Sequence, residues 1–137
     1  MSAYCEDYLK PIVFNMRRLG LLRTGKIKNN CEGNPVNYEG EIDSREVKEV
    51  ATGIGRLFSE SAILEGMMYN GRMNGVSTCT YPTGKKIVGE RINGILHGKC
   101  TLYQSDGRIF NQLWKEDKKI RSREITRKPE LAFYRDG

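Results

Sequence analysis

The chain has 137 residues, 38% of them hydrophobic and 29% charged, with a net charge of +6 and a pI near 9.2. That length holds one ordinary domain rather than two, and no apolar run reaches the roughly 18 residues of a membrane-spanning helix. The four cysteines (Cys5, Cys31, Cys79 and Cys100) stand far apart and His97 is the only histidine, which excludes a clustered zinc site and predicts reduced thiols in an intracellular compartment.

Residues 1–35 form an N-terminal tail that is apolar and basic. Tyr8, Leu9, Ile12, Val13, Phe14, Met16, Leu19, Leu21 and Leu22 crowd together, and six basic residues with no acid lie between Lys10 and Lys28. Pro11 suits a first helical turn and Gly20 or Gly25 a stop, so a short helix is predicted over about 11–19. Such a helix has three uses: packing on the rest of the chain, docking into a partner, or lying on anionic lipid. Arg17, Arg18 and Arg23 among apolar residues faintly suggest a mitochondrial presequence, whereas Glu6, Asp7 and Pro11 argue against one. No basic segment leads into an apolar stretch, so a secretory signal is not expected.

From residue 36 the sequence repeats. With Ile63–Lys85 laid over Lys86–Arg108, an offset of 23 places Gly66 on Gly89, Asn70-Gly71 on Asn93-Gly94, Gly75 on Gly98, Thr78 on Thr101 and Gly84 on Gly107. A fixed period in the glycines makes them turns of a repeat rather than a sign of disorder. Backwards, Tyr38-Glu39-Gly40 precedes Leu64-Glu65-Gly66 by 26 residues, the excess being an insertion around Ser44–Val50 net of a one-residue deletion near Ala62. Forwards, Phe110, Gln112 and Trp114 continue the frame. The array therefore spans 36–120, in units 38–62, 63–85, 86–108 and 109–120. Each unit reads as two short strands around an Asn-Gly turn, whose residues both accept positive φ. Hairpins of this length joined by short turns predict an all-β fold, a single-layer antiparallel meander. Two aliphatic rows follow: Leu57, Cys79, Leu102; and Tyr38, Leu64, Ile87, Phe110.

These residues resemble the MORN repeat (membrane occupation and recognition nexus), whose pattern is Tyr-Glu-Gly-x-Trp-x-Asn-Gly-x-x-x-Gly-x-Gly. Tyr38-Glu39-Gly40, Leu64-Glu65-Gly66 with Asn70-Gly71 and Gly75, Gly89 with Asn93-Gly94 and His97-Gly98, and Phe110 with Trp114 stand at its positions. The array departs from that pattern in three places. Leu64 and Ile87 stand at the aromatic position, Ile42, Met68 and Arg91 at the tryptophan position, and Ser77 and Cys100 at the second glycine of the Gly-x-Gly pair. The resemblance implies a non-enzymatic scaffold subunit of a larger assembly, ciliary or cytoskeletal.

Residues 121–137 read as a basic extension, Arg121, Arg123, Arg127 and Lys128 being diluted by Glu124. No Gly-x-Ser-x-Gly, phosphate loop or His-Glu-x-x-His occurs, so catalysis and cofactors are not expected. Short arrays leave open strand edges that invite a partner. The candidate partner-binding residues are Ile12, Phe14, Arg17, Arg18, Leu22, Trp114, Arg121 and Arg123. The partners expected are other protein subunits, or acidic phospholipid gripped by Arg72, Lys85, Lys86, Arg91 and Lys99; nucleic acid is not. An accessory subunit of a mitochondrial complex is a third alternative.

Overall fold

A computed structural model describes residues 2–31, 34–45 and 47–126 of the chain. One helix, α1 (Ser2–Arg18), is followed by nine strands: β1 (Leu22–Cys31), β2 (Asn34–Asp43), β3 (Val50–Phe58), β4 (Ile63–Tyr69), β5 (Arg72–Thr80), β6 (Lys86–Ile92), β7 (Ile95–Tyr103), β8 (Ile109–Lys115) and β9 (Lys118–Glu124). The strands form one open sheet in chain order, every pair antiparallel. The expected hairpin meander is the fold.

The helix is longer than the span 11–19. It begins well before Pro11, which sits inside it. A proline there removes one intrahelical donor, and a surface helix with a packed face tolerates the loss. Gly20, at φ +74°, ends the helix. The amide of Gly20 donates to the Arg17 carbonyl (3.1 Å) and that of Leu21 to the Met16 carbonyl (2.9 Å), the pairing of a Schellman stop. The tail reading of 1–35 also needs correction. Gly25 is no helix stop, because Leu22–Cys31 is a strand paired along its whole length with β2. Gly25 lies opposite Gly40 and Ile27 opposite Tyr38, so β1 is the second strand of a repeat whose first strand is missing. At the other end, β9 carries the array past residue 120. Residues 127–137 of the basic extension, with Arg127 and Lys128, lie outside the described residues.

Turns set the register. Asn70-Gly71 and Asn93-Gly94 are two-residue hairpin turns with φ of +53°, +83°, +49° and +85°, the primed geometry that matches strand twist. The β8–β9 turn has the same shape without glycine: Glu116 and Asp117 sit at +52° and +63°. A left-handed conformation costs an ordinary L-residue about 1–2 kcal/mol, and asparagine less. Glu116→Asn is expected to stabilise the chain by about 0.5–1 kcal/mol, read as a higher urea midpoint. Asp117 must be kept, since its carboxylate accepts the Leu96 amide at 2.8 Å. The β2–β3 connection, residues 44–49, is four residues longer than these turns, and Ser59–Ala62 is one shorter than 81–85. The net excess of three is the difference between offsets 26 and 23.

The two aliphatic rows merge into one. Tyr38 pairs with Leu57, Leu57 with Leu64, Leu64 with Cys79, Cys79 with Ile87, Ile87 with Leu102 and Leu102 with Phe110. Beside it runs a row of small residues, Gly25, Gly40, Gly55, Gly66, Ser77, Gly89 and Cys100. Larger side chains from either flank fold over this strip. A side-chain carbon on Gly55 would collide with the Tyr38 ring, and one on Gly66 would meet the Met73 sulfur at 2.9 Å. The core (Tyr38, Ile42, Ala51, Met68 and Met73) is thus built on one face without a second sheet. We call this the glycine face. Met67, next to Met68, points to the other side, where α1 lies.

Candidate binding surfaces

The helix packs on the face opposite the core, across β5 and β6. Val13 and Met16 are buried there, while Phe14 and Leu19 remain about 60% exposed. Between helix and sheet runs a groove of about 600 Å³, its walls including Pro11, Val13, Phe14, Ile54, Met67 and Val76. Ile54 and Val76 are more than half exposed. Both are the middle residue of a Gly-x-Gly-type triplet, and the third such residue, Lys99, falls beyond the helix.

One ion pair pins the end of α1. Arg17 donates to both Glu41 carboxylate oxygens, at 2.7 and 2.6 Å, and the Ile54 amide donates to one of them at 2.7 Å. Glu41 sits at a register shift between Gly40 and Ile42, and the Tyr38 hydroxyl donates to its carbonyl at 2.8 Å. The Arg17 guanidinium holds the Glu41 carboxyl below its ordinary value near 4.5, outweighing the opposing effect of burial, with the Ile54 amide assisting. A carboxyl with a depressed folded-state pKa stabilises the fold above its unfolded pKa and loses that contribution as pH falls through the folded value. Glu41→Gln should cost about 1 kcal/mol at neutral pH, discounted for the half-exposed arginine. It should also flatten the loss of stability below about pH 4.5. Urea midpoints measured from pH 7 to pH 2.5 check both; parallel curves for the two proteins would refute the linkage.

A second surface lies on the same side of the sheet at its far end. Lys99 pairs with Leu113 and Leu113 with Arg121; in the next row Thr101 pairs with Asn111 and Asn111 with Arg123. These six line a shallow groove of about 640 Å³. β9 is exposed along its length, and among the described residues only β8 pairs with it.

The eight residues singled out from the sequence fall into two groups. Ile12, Phe14, Arg17, Arg18 and Leu22 cluster around the helix and the start of β1; Ile12 and Leu22 are half-buried and Arg18 is exposed. Arg17 is engaged with Glu41 rather than free for a partner. At the other end Arg121 and Arg123 share a face. Trp114 is half-buried on the glycine face and donates from Nε1 to Gln112 Oε1 at 2.9 Å, so it is part of the packing. The five basic residues considered for lipid do not converge. Arg91 donates to the Gly94 carbonyl at 3.0 Å on the glycine face, Lys85 and Lys86 lie over the Tyr81 and Tyr103 rings, and Arg72 is at the opposite end of its strand. His97 pairs with Glu90. Cys79 and Cys100 are buried free thiols, and burial raises the pKa of Cys100.

Glu41, Ile54, Met67, Val76 and Asn111 were not among the residues expected from sequence. The repeat does carry a signal for two of them, since the middle positions of successive Gly-x-Gly triplets must share a face. Among the described residues no helix is long and apolar enough to cross a membrane, and no group of three His, Cys, Asp or Glu is placed to hold a metal. Neither a protein-family model nor a curated protein matches this chain.

Proposed function

We propose that this chain is a MORN-like binding protein, a scaffold subunit joined to other proteins of a larger assembly and without catalysis of its own. One observation carries the reading: a sheet one layer thick whose end strands β1 and β9 each have only one neighbour among the described residues. Unpaired main-chain donors and acceptors are costly unless water or another strand satisfies them. The exposed Phe14, Ile54 and Val76 along the α1 groove add a second adhesive strip. The ciliary or cytoskeletal setting rests on the resemblance of the glycine period alone.

Cross-linking in native extract tests this. Cross-links from Lys118, Lys119 and Lys10 to other polypeptides, in particles far larger than the 15.6 kDa chain that survive detergent, are the expected result. A free monomer without cross-links would overturn it. Flotation with anionic vesicles that is lost at high salt would instead mark an adaptor on lipid.

A further inference from the structure

We propose that the outer edge of β9 takes up an acidic, extended peptide of a partner protein as a tenth strand, which sets two carboxylates, two residues apart, against Arg121 and Arg123. This rests on the protein-binding reading above and names the partner's chemistry.

Strand geometry supplies the first part of the argument. Among the described residues β9 has no neighbour on one side, and strand addition satisfies such an edge with main-chain bonds while alternate side chains supply specificity. Charge supplies the second. Lys118, Lys119, Arg121 and Arg123 lie within the seven residues of β9. Its one acid, Glu124, accepts a hydrogen bond from the Thr126 hydroxyl at 2.8 Å. Arg121 and Arg123 hold no ion pair among the described residues, and with Lys99 they line a groove on one face. A second copy of this chain is a poor occupant. The other open edge, β1, carries Arg23, Lys26 and Lys28 and no acid, so stacking β1 on β9 would set cations against cations. Opposed like charges on neighbouring strands are destabilising.

The register then dictates a pattern. The Ile125 amide donates to the Ile109 carbonyl at 2.7 Å, which continues the β8–β9 pairing. Ile125 therefore lies on the face of Arg121 and Arg123, and it is partly exposed. An antiparallel tenth strand meets Ile125 first, then Arg123, then Arg121. Its sequence should read aliphatic-x-acid-x-acid from N to C terminus.

The test uses the full chain and fluorescent threonine-rich nonapeptides. One carries Ile, Glu and Glu at alternate positions. The control has the same composition with the second Glu moved by one residue, so that its two carboxylates face opposite sides. Anisotropy should show the patterned peptide binding at least about fivefold tighter than the control, with hydrogen-exchange protection appearing at alternate β9 amides. R121E/R123E should weaken it by about tenfold or more and should prefer a peptide with Lys in place of Glu, a rescue that a misfolded variant could not give. Equal binding of both peptides, protection on α1 instead of β9, or binding only to phosphatidylserine vesicles would each overturn the proposal. If cross-links to other polypeptides form around α1 while the peptide result fails, the β9 proposal falls and the scaffold reading stands. With no cross-links anywhere, the scaffold reading falls.

Discussion

Gly55→Ser in the otherwise unchanged chain is expected to cost about 2–4 kcal/mol, and Tyr38→Leu in the same molecule to recover much of it. The Tyr38 ring and hydroxyl occupy the space where a side chain on Gly55 would begin. Any substituent there evicts the ring, and with it the hydroxyl's hydrogen bond to the Glu41 carbonyl. Overpacking costs about 1–3 kcal/mol and the lost bond about 1 more. The other repeats contain the compensation already. Leu64 lies one strand from Cys79 and flanks Ser77; Ile87 flanks Gly89, opposite Cys100. A smaller residue at the aromatic position goes with a larger one in the glycine row. Two of the three departures from the repeat pattern, at the aromatic and second-glycine positions, are thus one exchange of volume made twice. Urea unfolding of Gly55→Ser, Tyr38→Leu and the double variant forms a thermodynamic cycle, with a coupling of about 1–2 kcal/mol expected in the direction of rescue. Strict additivity would mean that the tyrosine and the glycine do not share that space.

The second large effect concerns the helix. Val13→Asp should detach α1 from the sheet while the meander stays folded. Val13 is 2% exposed, and Met16 is the other buried residue of the helix among those described. Removing a buried valine forfeits about 1.5–3 kcal/mol, and an unpaired carboxylate in its place adds a desolvation cost of similar or greater size. A 17-residue helix with an internal proline does not persist alone in water. Undocking therefore melts it, and far-ultraviolet circular dichroism should lose its helical component while Trp114 fluorescence holds. Val13→Ala, costing about 1–2 kcal/mol, should keep the helix. Retention of the helical signal in Val13→Asp would show that α1 is held by other contacts, the Arg17–Glu41 pair foremost.

The meander was legible because its punctuation is backbone chemistry. Asn70-Gly71 and Asn93-Gly94 must turn, and the distance between them sets hairpin length. Strand β1 was not, since it retains Gly25 and Ile27 but has Arg23 where the later strands carry Gly53, Gly75 and Gly98. With one glycine of the pair missing and no partner strand before it, the segment looks like tail. The helix start is hidden for a related reason: Pro11 is a favourable first residue, yet it sits inside Ser2–Arg18 at the loss of one main-chain donor. Pairing rules made the shared face of Arg121 and Arg123 readable once β9 was known to be a strand. The grip of Arg17 on Glu41 was beyond reach, because it depends on a register shift at Gly40 that no local pattern announces.

The turn tips have a further consequence. The Gly71 amide donates to the Ala51 carbonyl, that of Gly94 to the Met73 carbonyl and that of Asp117 to the Leu96 carbonyl, at 2.8, 2.8 and 3.2 Å. The Asn70 and Asn93 amides reach back to the side chains of Thr52 and Asn74. Each of these three tips leans on the hairpin made before it in the chain. The array thus has a direction of growth, like a zipper with its slider at the N-terminal end: during synthesis each new hairpin finds its template already formed. Fraying should start at β9 and run backwards, so that truncation from the C-terminal end removes one unit at a time, whereas loss of β2 and β3 leaves the later units without the hairpin that received them.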